Sequence, residues 1–157
     1  MNSCSFTGHR KIEYSRIAPL EELLGRAVDY AYSQGCRSFY CGGAIGFDTM
    51  AAKAVLEKRI FHRDIRLIIV MPCEEQTLGW SDRNKDTYDY ILSEADECIC
   101  ISKEYTKSCM RERNLYLAER CDMLVAYVGR NNSGSSQTLR FAESLGKIVY
   151  NLYKKLN

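Results

Sequence analysis

The 157-residue chain has no apolar run long enough to cross a membrane, no low-complexity linker and no internal repeat. It also lacks any Cys-x-x-Cys pair, although it holds eight cysteines. Cys98 and Cys100 alternate along an expected strand, and a metal set of Cys98, Cys100 and Cys109 has no neighbouring His to complete it. No metal or cofactor is therefore expected. Histidine is scarce, with two copies, and charge of one sign is not in excess: 22 Lys and Arg face 20 Asp and Glu. A net charge of +2 gives no field suited to tracking a nucleic-acid backbone, so nucleic acid is not the expected partner. The N-terminus enters Met1-Asn2-Ser3-Cys4-Ser5-Phe6 without an apolar leader segment. The cysteines read accordingly as reduced, small, buried hydrophobes of a cytoplasmic protein.

What remains is an ordinary globular composition, 46% hydrophobic and 27% charged, in a length that suits a single domain over 1–157. Strand and helix patterns alternate throughout. Strands are expected at 2–6, 37–41, 66–71, 97–101, 123–128 and 147–151, with Pro72 ending the third. Helices are expected at 18–34, 46–59, up to 95, 108–120 and 136–145. The first opens on Pro19 in its first turn and closes at Gly35. The run Arg66-Leu67-Ile68-Ile69-Val70-Met71 is nearly unbroken apolar, as in a strand covered on both faces. The pattern predicts an α/β, Rossmann-like, doubly wound and mostly parallel sheet of about six strands, with helices on both faces. Ligands of such folds sit beyond the carboxyl ends of the strands.

Four loops fall at that rim, at 7–10, 42–48, 71–75 and 129–136. Gly42, Gly43 and Gly46 follow a strand and precede Asp48 and an Ala-rich helix. This is either a tight turn that needs glycine or a place where bare backbone and a helix N-terminus receive phosphate. Thr7, Gly8, His9 and Arg10 follow the first strand, where Arg10 can fork onto an anion and His9 can donate or transfer a proton. The bland alternative is a solvated turn. Asp48 either satisfies first-turn donors or accepts from a ribose hydroxyl. Met110 and Arg113 share a helix face beside Asn114, with Tyr105 just before the helix. Ser133, Gly134, Ser135 and Ser136, with Thr138 beyond, form either a second phosphate cradle or a plain N-cap after a loop at 129–135.

Together these stretches resemble the SLOG superfamily, which gathers the Smf/DprA DNA-processing proteins and the LOG cytokinin-activating enzymes. The resemblance is closest to its short YpsA-like branch, of bacteria or phage, and runs from Phe6 to about Val149. It rests on Thr7-Gly8-His9-Arg10, on Gly42-Gly43-Ala44 through Gly46-Phe47-Asp48-Thr49, and on Met110 with Arg113 and Asn114. It implies a nucleotide or nucleotide-derived ligand, such as ADP-ribose or a nucleoside monophosphate, bound at the rim for sensing or sequestration. In that arrangement the glycines and 133–136 hold phosphates, Arg10 and Arg113 neutralise them, and Trp80 or a tyrosine stacks on the base. A dimer is common among such proteins.

The last loop departs from the family, with Ser133-Gly134-Ser135 in place of Gly-Gly-Thr. The LOG catalytic Glu has no counterpart either, because Thr138-Leu139-Arg140-Phe141 occupies its place and Glu143 is the nearest carboxylate. A LOG-type phosphoribohydrolase would have to use Asp48 or Glu143. A DprA-type grip on single-stranded DNA is the weaker alternative.

Overall fold

The computed structural model describes residues 1–129 and 133–156, so 130–132 of the expected 129–135 loop lie outside the described residues. Strands β1 (Ser3–Gly8), β2 (Ser38–Cys41), β3 (Arg66–Cys73), β4 (Glu97–Ser102), β5 (Met123–Tyr127) and β6 (Ile148–Asn151) alternate with helices α1 (Tyr14–Ser33), α2 (Phe47–Phe61), α3 (Asp82–Glu94), α4 (Cys109–Arg120) and α5 (Gly134–Ser144). A short 3₁₀ turn, Leu152–Leu156, ends the described chain. All strand pairs are parallel, in the order β4-β3-β2-β1-β5-β6. The α/β, Rossmann-like expectation holds.

Side-chain alternation divides the core between the two faces of the sheet. Cys4, Phe6, Phe39, Cys41, Leu67, Ile69, Met123, Val125 and Tyr127 point to one side, where they meet the buried stripe Leu20, Leu24 and Val28 of α1 and Ala51 and Val55 of α2. Tyr40, Ile68, Val70, Leu124 and Ala126 point to the other, where they meet Leu117 and Ala118 of α4 and Ala142 of α5. Ser5 lies on that second face and donates its hydroxyl to the Leu117 carbonyl of α4 at 2.8 Å.

The structure corrects three local expectations. Helix α1 begins at Tyr14, so Pro19 stands inside it. The carbonyl that Pro19 leaves without a donor is that of Ser15, which is exposed to water, and Arg16 pins this early turn by donating to the Tyr127 hydroxyl at 3.1 Å. Pro72 does not end β3, which runs to Cys73. Its missing N–H faces the β2 side, where Arg66 also points, and β2 has already stopped at Cys41. Cysteines 4, 36, 41, 73, 109 and 121 are buried, whereas Cys98 and Cys100 are exposed because β4 is an edge strand. No described helix is long and apolar enough to cross a membrane.

Strands β2, β3 and β4 spread to one side of β1, and β5 and β6 lie on the other. The chain therefore reverses its direction of winding between β1 and β5. Open α/β sheets place their ligand crevice beyond the carboxyl ends of the two strands at such a reversal.

Candidate functional site

A cleft of about 360 Å³ opens at the carboxyl ends of β1 and β5. The loop after β1 contributes Thr7, Gly8, His9, Arg10 and Lys11, the loop after β2 and helix α2 contribute Ala44 and Asp48, helix α4 contributes Met110, Arg113, Asn114 and Leu117, and the start of α5 contributes Ser133, Gly134, Ser135 and Gln137. The sequence expectations thus converge in space at Thr7, Gly8, His9, Arg10, Asp48, Met110, Arg113, Asn114, Ser133, Gly134 and Ser135. Lys11, Ala44, Leu117 and Gln137 line the same cleft without having been singled out; adjacency to Arg10 was the available signal for Lys11.

Gly42, Gly43, Gly46 and Ser136 are not among the residues that line the cleft. At Gly46, where φ is +80°, an added Cβ would fall 2.1 Å from the Arg10 carbonyl oxygen. The N–H of Phe47 donates to the His9 carbonyl at 3.1 Å. The first turn of α2 is thus packed against the chain's own β1–α1 loop. An added Cβ at Gly42 would fall 2.7 Å from both Arg113 Nη1 and Asp48 Oδ2. These glycines permit close approach of backbone and side chains within the protein. Ser136 completes a reciprocal cap, its N–H donating to Ser133 Oγ at 3.2 Å and its hydroxyl accepting from Ser133 N at 3.1 Å.

Arg113 is 5% exposed. Its Nη1 donates to the Gly42 carbonyl at 2.6 Å and to the Val70 carbonyl at 3.4 Å, and its Nε donates to Asn114 Oδ1 at 3.0 Å. The guanidinium ties α4 to the carbonyl just past the end of β2 and to Val70 inside β3, opposite the point where β2 has stopped. Burial pushes its pKa down, while the charge of Asp48 pushes it up. Asn114 extends the frame to α5, donating to the Gly134 carbonyl at 3.2 Å and to Gln137 Oε1 at 3.1 Å.

Asp48 is 7% exposed and is the sole carboxylate among the residues that line the cleft. Its Oδ2 accepts one hydrogen bond, from the Ala44 N–H at 3.2 Å. Burial raises its pKa to about 6, against the lowering pull of Arg113, of the Ala44 N–H and of Arg10. Glu143 is exposed and lines a separate depression with Ser136, Arg140, Asn151 and Tyr153. Of the two carboxylates considered for catalysis, Asp48 reaches the cleft.

His9 Nε2 accepts from the Gly129 N–H at 2.8 Å, so Nδ1 carries the proton of the neutral ring and meets Ser135 Oγ at 3.3 Å. Ser135 Oγ lies 3.0 Å from Ser133 Oγ. This chain of contacts carries the position of β1 into the first turn of α5. There Ser133 occupies one amide, that of Ser136, while Gly134 and Ser135, which line the cleft, hold the first two helical positions, whose N–H groups have no intrahelical acceptor and lie at the positive end of the helix dipole. Thr138 is fully buried and does not line the cleft. Trp80 packs edge-on against Tyr88, and Tyr105 is 66% exposed; neither lines the cleft.

Comparison with known proteins agrees with this architecture. A UPF0398 protein of Bacillus thuringiensis (strain Al Hakam) is 27% identical over 127 residues, covering 80% of this chain and 69% of its relative. An SPbeta prophage-derived protein of Bacillus subtilis (strain 168), YoqJ, is 28% identical over 161 residues, covering 94% of this chain and 90% of its relative. The fold is shared with DNA processing protein A (DprA) from Streptococcus pneumoniae, with a TM-score of 0.68 at 20% identity, over 96% of this chain. This chain spans half the length of that protein, 50%. A family model described as the YspA SLOG family (YpsA) matches residues 4–145, nearly the whole chain, and the chain belongs to that family.

Proposed function

We propose that the cleft binds a nucleotide or nucleotide-derived anion, an ADP-ribose-like molecule or a nucleoside monophosphate, for sensing or sequestration. The observation that carries this reading is the convergence of Arg10, Lys11 and the α5 first turn at the winding reversal between β1 and β5. The anion sits on the Gly134 and Ser135 N–H groups, with the Ser133 and Ser135 hydroxyls beside them and the two exposed cations above. Arg113 contributes through-space charge and holds the frame, since its Nη1 is already directed at Gly42. The position of Asp48 as the cleft's carboxylate favours it as the group that would act if the ligand is turned over at its N-glycosidic bond. The similarity to DNA processing protein A raises a single-stranded DNA reading, which the near-balanced charge of the chain disfavours.

Thermal unfolding with AMP, ADP-ribose, inorganic phosphate and a single-stranded oligonucleotide tests the reading, with chromatography for free base. A mononucleotide or ADP-ribose at about a hundred times its Kd is expected to stabilise the fold by about 2.7 kcal/mol. Arg10→Ser combined with Lys11→Ser is expected to remove most of that shift. Base release that is lost in Asp48→Asn would convert the binding module into a hydrolase. Stabilisation by the oligonucleotide alone would sink the proposal.

A further inference from the structure

Asp48 is placed where an anion-binding cleft gains nothing from a fixed negative charge. It lines the same 360 Å³ cleft as Arg10, Lys11 and the α5 first turn. Its carboxylate has one hydrogen-bond donor, the Ala44 N–H at 3.2 Å, and is 7% exposed. Arg113, the nearest buried cation, directs its Nη1 to the Gly42 carbonyl at 2.6 Å. A buried carboxylate with so little compensation is easily neutralised by a proton, and a second negative charge arriving beside it makes neutralisation easier still.

Resting on the reading of the cleft as an anion site, we infer that it takes its ligand together with one proton, which Asp48 holds. Proton uptake on binding makes affinity fall as pH rises, by up to about tenfold per pH unit wherever a full proton is taken up. The groups that act on Asp48 are Arg113 from α4, Arg10 from the β1–α1 loop and the Cys41 thiol from β2, and Lys11 and His9 of that loop line the same cleft. The α5 turn presents neutral groups, Ser133, Ser135 and Gln137. Among these, burial together with Asp48 raises the Cys41 thiol well above its ordinary value. His9 is the one competing proton acceptor, and it already spends Nε2 on the Gly129 N–H.

Calorimetric titration of the whole chain with sulfate and with ADP-ribose separates these groups, because neither ligand titrates between pH 6 and 8. Measurements in buffers of different ionisation enthalpy read the protons directly. Wild type is expected to take up a substantial fraction of a proton near pH 7 and to lose affinity several-fold from pH 6 to 8. Asp48→Asn is expected to take up none, to bind equally at both pH values, and to exceed wild-type affinity at pH 8. An equal pH slope in wild type and Asp48→Asn would assign the proton to His9 and overturn the inference, as would pH-independent binding to wild type. Absence of binding by either protein at every pH would instead overturn the ligand reading itself, and the inference with it.

Discussion

Replacing Arg113 with alanine is expected to lower the unfolding free energy by about 3–5 kcal/mol, the range for breaking up a buried charge with its hydrogen-bonded partners. The loss follows from what the guanidinium touches. Without it the Gly42 and Val70 carbonyls and Asn114 Oδ1 lose their donor inside the protein. Asp48, buried beside the same glycine, loses the cation that most lowers its pKa. Lysine is not expected to restore the fold fully, because an ammonium cannot reproduce the spread of donors that reaches Gly42 and Asn114 at once. Urea denaturation checks this directly. A change below about 1 kcal/mol in Arg113→Ala would show that the residue is not part of the frame.

The second expected result has the opposite sign. Asp48→Asn is expected to stabilise the protein at pH 8 by about 2–3 kcal/mol, or roughly 4–12 °C in Tm. In the folded chain its carboxyl holds a proton up to a pKa of about 6, whereas the ordinary value is 3.8. The folded state therefore binds this proton more tightly than the unfolded chain. That contribution to stability is fully present below pH 3.8 and is lost as pH rises through about 6. Asparagine keeps an oxygen for the Ala44 N–H and carries no charge to bury. Its advantage should thus be absent near pH 3.5 and full by pH 8. A residue whose neutral analogue makes a more stable protein is retained for what it does rather than for what it supports. Equal stability of the two proteins at pH 8 would remove this argument for Asp48.

The fold was legible in the sequence because each level of pattern agreed. The unbroken apolar run 66–71 announces a strand covered on both faces, and the 3.6-residue stripes between strands announce its covering helices. Where the reading slipped, at Tyr14 and at Pro72, a proline was taken as a boundary. Its missing N–H faced solvent in one case and the end of a neighbouring strand in the other, so neither element had reason to stop there. Cys98 and Cys100 failed for a different reason, since strand order decides which strand lies at the edge, and no local pattern carries strand order.

The site was legible as a set of residues and much less so as a set of roles. Arg10, Asp48 and Gly134 all reach one cleft, as their loops implied. The glycine turn at 42–46, however, is shaped to admit Arg10, Arg113 and Asp48 of the same chain. Glycine spacing alone cannot distinguish an approach by phosphate from an approach by the protein's own backbone. Arg113 reads as a phosphate ligand in sequence because nothing there shows that the Gly42 and Val70 carbonyls lie within its reach. The proposed anion cradle accordingly lies at α5 rather than α2, because the Phe47 amide of α2 is taken up by the His9 carbonyl.

That relocation is the central claim, and amide chemical-shift mapping tests it most directly. Titration of the ¹⁵N-labelled chain with ADP-ribose or AMP is predicted to move the Gly134 and Ser135 amide resonances first and furthest, with Arg10 and Lys11 following. The amides of Gly46 and Phe47 should respond less, because the β1–α1 loop already covers them. Largest shifts at Gly46 and Phe47, or at the separate depression beside Glu143 and Tyr153, would contradict the account.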